Sequence, residues 1–440
     1  MAAVDLEAES RAPATGRRAG RLMFDRAYRQ RLEADLARWE ADGVVAPAAI
    51  AAIRAALPPL GPGITIAVVI AIVGGLLIAA AFLAFVAAHW TELSRLLRVA
   101  MLLAGCLVAY GLGSWFARED RSVIADLCAG VGSIIFGASI ALIGQMYHLG
   151  EDFAAGMLLW AVGALVAAAL TGSRGALAVA LVAACFWSNT RIFEIRDPHF
   201  AFVVFWLLAA GLALAWNSRV AAHLVAVAVL PWWFTSAFQA YIEPAFVLAD
   251  GAALLFGTGL LLAATPWQRT SSAGTVLSAY GAVSLAVAAS LEVATSNDFF
   301  YSRSELGQPQ WAMACGIAGL IFALAAAAIT RRPGSGLAGA AIALVLVAAL
   351  AWTPRRSGGD PWLAYALQLS AMLCLVVSGM LDNVRSRIVA GWIGIAGVIA
   401  GITWAVKGSL LGRSLFLAVA GGAAVVLSTV LNRFLPKGRP

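Results

Sequence analysis

The amino-acid sequence predicts an all-α fold: a polytopic helical membrane protein of about 14 transmembrane helices, within a range of about 12–14, preceded by a cytosolic helical hairpin. Three observations predict it. Of the 440 residues, 62% are hydrophobic and 12% charged, about half the charged share of a soluble domain. The mean hydropathy is +0.88. From Ile64 onward, apolar runs bounded by charges, Pro or Gly recur with lengths suited to a hydrocarbon core of ~30 Å. Lipid offers no partner for a backbone N–H or C=O, so such runs must bond internally, as helices.

The segment before Ile64 differs in kind. It carries nine arginines and eight carboxylates and has no apolar stretch that could serve as a signal-peptide core, so it is expected to stay in the cytoplasm. Residues 1–23 read as a disordered tail and 24–63 as a helical hairpin. Phe24, Tyr28, Leu32, Leu36 and Trp39 recur at helical spacing on one face, with Arg29/Glu33 and Arg31/Asp35 available as i,i+4 pairs. Gly43 is placed to end that helix. Pro47 suits the first turn of a second one carrying Ile50, Ile53 and Leu57, and Pro58 with Pro59 stops it. Ala46 is a poorer cap there than Ser or Thr. A unit of this size buries too little of its own surface to stand alone. The apolar set Leu32, Leu36, Trp39, Ile50 and Ile53 is therefore expected to meet a protein partner, a second copy of the chain or the membrane surface through residues 24–57.

The membrane domain is expected over residues 64–432. Its spans are read as 64–88, 99–116, 123–144, 153–170, 175–187, 200–216 and 220–238, then 245–265, 273–291, 311–330, 336–352, 362–381, 388–406 and 415–431. The fifth is short for a ~30 Å core unless Arg174 and Arg191 snorkel. With the N-terminus inside, this arrangement puts 21 of the 30 basic residues on the cytoplasmic side and nine outside. The tail 433–440, with Arg433, Lys437 and Arg439, reads as cytoplasmic, in keeping with an even number of crossings.

Several function classes drop out. A net charge of +7 comes from basic residues scattered between apolar segments, which suits orientation in a membrane and not nucleic acid. Cys106, Cys128, Cys185, Cys315 and Cys374 all sit in apolar runs without CxxC spacing and read as small hydrophobes. No Walker loop, GxSxG elbow, HExxH or strand-linked GxGxxG is present, so no cofactor and no metal is expected, and an enzyme is the least favoured class.

Two groups of polar residues stand out in the spans. Asp126, Asp250 and Glu292 are intramembrane acids close to helix ends, readable as solvated termini or as a proton or ion relay. On the expected outer face, His89, Gln145, Tyr147 and His148, with Glu151 and Asp152 at the mouth, form either a common polar pocket or an interfacial belt. The amide of Gln145 is expected to face the bundle, because burial without a partner costs about 1–3 kcal/mol. Pro231 with Trp232 and Trp233 reads as a kink, and Gly397 with Gly401 as a close helix contact.

RLEADLARWEADGVVAPAAIAAI from Arg31 to Ile53, AAHW ending at Trp90, FGASIALIGQMYHLGED from Phe136 to Asp152 and LLW ending at Trp160 carry a family signal. Over roughly residues 24–190 they resemble the bacterial membrane-protein family catalogued as domain of unknown function 2157. The resemblance implies a multi-pass bacterial inner-membrane protein and supplies no catalytic residue. Two function classes follow: a transporter-like or sensing protein with an outer-face polar pocket, or a scaffold or assembly factor acting through the hairpin.

Overall fold

A computed structural model describes residues 24–56, 66–88, 94–119, 121–147, 152–240, 244–295, 310–330, 336–351 and 362–405. These residues form fifteen helices and no strand. The hairpin is α1 (Phe24–Ala41) and α2 (Pro47–Ala56). The apolar helices that follow are α3 (Ile66–Ala88), α4 (Arg95–Arg118), α5 (Ser122–Tyr147), α6 (Phe153–Thr171), α7 (Arg174–Ile195), α8 (Ala201–Ala215) and α9 (Arg219–Ala240). The rest are α10 (Pro244–Ala264), α11 (Gln268–Thr295), α12 (Gln310–Thr330), α13 (Leu337–Ala351), α14 (Trp362–Leu381) and α15 (Arg385–Ala405). Helices α3 to α15 fall on the first thirteen expected spans. The fourteenth, 415–431, lies outside the described residues, as do the tails 1–23 and 433–440.

Ten of the described helices are long and apolar enough to cross a bilayer, so the chain is an all-α polytopic membrane protein. The fifth expected span needs correcting. Reading stopped at Trp187 because Ser188, Asn189, Thr190 and Arg191 are polar, yet α7 continues to Ile195 and measures about 33 Å. Its polar turn is accommodated: Thr190 Oγ1 donates back to the Phe186 carbonyl at 2.9 Å, and Arg191 finds carboxylates at the helix end. The short apolar helices are instead α8 and α13, with 15 residues each. At about 22 Å they are shorter than a ~30 Å hydrocarbon core.

Two compact units divide at Gly74. In the first, Gly43 takes φ +67°, the left-handed conformation that ends α1, and the amides of Val44 and Val45 return to the Trp39 carbonyl. Leu36 and Ile50 are buried, Leu32 and Trp39 half-buried, and Ile53 exposed. Glu33 pairs with Arg54 of α2 at 3.0 Å and Asp35 with Arg38 at 2.6 Å.

The second unit contains two main apolar cores, one built by α5 to α9 and the other by α10 to α15, both rich in alanine. The tightest packing is among α10, α11 and α12. Methyl groups added at Gly257, Gly259, Gly274, Gly281 or Gly319 would run into the backbone of the facing helix. Lipid is as apolar as leucine, so helices associate here by close approach of small residues and dispersion. Gly319→Leu should therefore lower stability by about 1–3 kcal/mol, read as a lower thermal unfolding midpoint in detergent, because its side chain must displace the α10 backbone at Ala253 and Leu254.

Candidate functional site: an aromatic-walled cavity and its polar rim

A cavity of about 700 Å³ lies between α8, α9, α10, α11 and α12. Its lining comes from the N-terminal parts of α8, α10 and α12 and the C-terminal parts of α9 and α11. Because successive crossings alternate in direction, those parts share one half of the membrane. That is the half toward the α7–α8, α9–α10 and α11–α12 connections.

Large rings placed over small residues open this space. The α9 helix runs on through Pro231 and sets Trp232 and Trp233 side by side. Trp233 rests on Gly251 of α10, where an added methyl would enter the indole ring. Its Nε1 donates to the Val247 carbonyl at 2.7 Å. Trp232 donates to the His199 carbonyl at 3.2 Å and Trp206 to the Val225 carbonyl at 2.8 Å. Phe202 stacks on Trp232 with centroids 5.5 Å apart, and Trp311 meets Phe200 and Trp233 edge to face at 5.4 and 5.6 Å. Apart from the indole N–H groups, three of the described lining residues carry a hydroxyl or thiol: Thr258, Ser284 and Cys315. The lining residues Phe200, Leu207, Phe234 and Val287 are each 45–57% exposed, so the cavity opens sideways between helices.

Acidic groups stand close behind this wall. Asp250 turns from α10 toward α12, where a methyl at Gly316 would strike its Oδ1, and its Oδ2 is buried with no hydrogen-bond partner. Glu292 is fully buried one residue beyond the lining residue Leu291 of α11, against the expectation of a solvated helix end. Asp126 has a structural part instead. Its carboxylate accepts from the Arg174 amide at 2.9 Å and so caps α7 from a neighbouring helix.

The connection between α7 and α8 forms a polar rim on the same membrane face as the cavity. Arg191 joins Asp152 at 2.6 Å and Glu194 at 2.8 Å. Arg196, in the left-handed conformation at φ 58°, donates to Gln239 of α9 at 2.7 Å, and His199 Nδ1 lies 3.1 Å from Ser188 Oγ. Cys185 to Ala228 and Arg196 to Gln239 share the offset of 43 residues, so α7 and α9 run parallel and in register up to this face.

Of the expected outer-face set, Gln145, Tyr147 and Asp152 are among the described residues. Asp152 is the N-cap of α6, accepting from the Ala155 amide at 3.0 Å, and it is bound across to α7 by Arg191. Tyr147 is 48% exposed, with the Arg95 guanidinium 5.9 Å above its ring. Gln145 is exposed and does not turn into the bundle. His89, His148 and Glu151 lie outside the described residues. Among the described residues no group of three His, Cys, Asp or Glu side chains is arranged to hold a metal. Sequence reasoning took Trp232 and Trp233 for a kink and missed the cavity. The available signal was four tryptophans, Trp206, Trp232, Trp233 and Trp311, falling inside or at the start of spans from one part of the chain.

Two groups on the rim titrate away from their ordinary values. The Ala155 amide, and after it Arg191, hold the Asp152 carboxyl below its usual 3.8, while burial, and then Arg191, push His199 below 6.5. Both shifts leave the folded state with fewer protons than the unfolded one. Their stabilisation is complete above the ordinary values and is lost as pH falls through the lowered ones. Asp152→Asn should accordingly lower the thermal midpoint near neutral pH by a small amount, and the gap to the unaltered protein should close between about pH 5 and pH 2.

No curated protein and no solved structure matches the chain. The cavity lies outside the segment 37–177, which has a family match, while Asp126, Gln145, Tyr147 and Asp152 lie inside it. That match, over residues 37–177, is to the family described as predicted membrane protein (DUF2157), to which this part of the chain is similar.

Proposed function

We propose that this is a transporter-like protein of the bacterial inner membrane that takes a membrane-soluble small molecule into the cavity between α8 and α12. The observation that carries the reading is the cavity itself. At about 700 Å³ it falls in the size range of small-molecule sites, and its wall is apolar and aromatic with few polar groups. Its sideways opening faces the region where lipid stands, so an apolar solute dissolved in the bilayer reaches it without crossing water. Burial then rests on contact with ring faces and on dispersion rather than on dehydration of the solute.

The distribution of basic residues supports a cytoplasmic position for both termini, and in that orientation the cavity belongs to the outer half of the membrane. A sensing role would draw on the outer-face set His89, Gln145, Tyr147, His148, Glu151 and Asp152, since histidine's unperturbed pKa of about 6.5 falls in the range an external face experiences. The scaffold reading is supported by the hairpin, where Val44 is 70% and Ile53 38% exposed, apolar surface suited to a protein partner.

Reporter fusions after Arg54, Arg332 and Arg439 should be active inside the cell, and a fusion after Glu151 outside. A fusion after Arg332 that reported outside would invert this part of the membrane domain and move the cavity to the other leaflet. The cavity reading is tested with the neutral dye N-phenyl-1-naphthylamine on the purified full chain in detergent. The unaltered protein should enhance dye fluorescence saturably, and Ala288→Trp, which fills the cavity from α11, should abolish the enhancement while leaving the helical content unchanged. Equal enhancement by the filled variant would overturn the reading.

A further inference from the structure

We propose that the molecule taken by this cavity is a lipophilic organic cation, such as a quaternary ammonium, a phosphonium or a protonated tertiary amine. The inference rests on the cavity being a binding site and adds the chemical class of its occupant. Three features point the same way.

The first is how the indoles are held. Trp206, Trp232 and Trp233 spend their N–H groups on the carbonyls of Val225, His199 and Val247, residues that do not line the cavity. Those donors are already used. What the rings offer an occupant is their faces, whose quadrupole is negative and attracts a cation, most strongly where water is excluded.

The second is the sign of the fixed charge. Among the described residues no Lys or Arg lines the cavity, and the acids Asp250 and Glu292 stand in the adjoining turns of α10 and α11, with His199 beside Phe200 at the rim. Asp250 has one carboxylate oxygen that is buried and makes no hydrogen bond. It stands directly before the lining residue Gly251 in α10, against the turn of α12 that carries the lining residue Cys315. A cation in the cavity would favour the ionised form of that carboxyl and be attracted to it, whereas an anion would be disfavoured beside it.

The third is the shortage of hydrogen-bond donors. Thr258 and Ser284 are the hydroxyls on the wall, too few to replace the hydration shell of a carboxylate, sulfonate or phosphate. A cation whose charge is spread over, or shielded by, carbon substituents needs no such donors.

The test uses two ions of the same shape and opposite sign, tetraphenylphosphonium and tetraphenylborate. Both are measured by equilibrium dialysis against the purified full chain in detergent, with protein-free micelles as the partition control. The phosphonium should bind about tenfold more tightly than the borate. Asp250→Asn should weaken the phosphonium about tenfold and should not weaken the borate, and Ala288→Trp should remove both. Equal affinities for the two ions, or a phosphonium affinity untouched by Asp250→Asn, would overturn the cation assignment while the dye result still upholds the cavity. If the dye and both ions fail to bind, or bind equally well to the filled variant, the cavity reading itself fails. Should Asp250→Asn not fold, judged by its thermal unfolding, the ratio for the unaltered protein decides together with Trp311→Leu. That variant removes a ring face and should cut the phosphonium more than the borate.

Discussion

Helices in a bilayer gain nothing by hiding apolar surface from one another, because the lipid around them is equally apolar. Association must come from closeness, and in this protein closeness comes from alanine and glycine. The α10–α11–α12 group shows it most plainly. Gly257 of α10 faces Gly319 of α12, and Gly259 faces Ser278 of α11, so backbones lie where side chains would otherwise stand. Dispersion between such surfaces, summed over many weak contacts, holds the bundle together.

The cavity follows from the same constraint. Where rings replace small residues, helices are held apart. Trp232, Trp233 and Trp311, with Phe200 and Phe202, act as spacers between α8, α9, α10 and α12, and their edge-to-face geometry leaves a space the rings do not fill. Gly251 belongs to this arrangement too, since only a residue without a side chain lets the Trp233 indole lie against α10. The wall is thus rigid by packing and by its tethered indoles, a preorganised surface of ring faces.

Polar groups inside the membrane domain obey a second rule, that each must be bonded, and most are. Asp126 caps α7 and Asp382 accepts from the Gly336 amide ahead of α13, so two carboxylates satisfy helix starts from across an interface. Arg387, 5% exposed, is held by Asp382 and Ser378, and Gln368 of α14 donates to Ser290 of α11 at 3.0 Å. The Oδ2 of Asp250, like Gln368 Oε1 and Arg387 Nε, is buried without a hydrogen bond, and it is set apart by its place beside an aromatic cavity.

Hydropathy and punctuation were enough to determine the class, the hairpin and the position of nearly every helix, because lipid leaves a spanning backbone one solution and Pro, Gly and charge mark where each run stops. The limits of α7 escaped because polar residues such as Ser188 and Arg191 look like a terminus until their partners on other segments are known. The same reason governs the candidate site. Which face of a uniformly apolar helix points inward leaves no periodic trace, so the exposure of Gln145 and the burial of Glu292 were decided by packing alone. The tryptophans of α8, α9 and α12 were visible one by one. Only the tertiary structure brought them around a single space, since that depends on distances between helices set by small residues far apart in the chain.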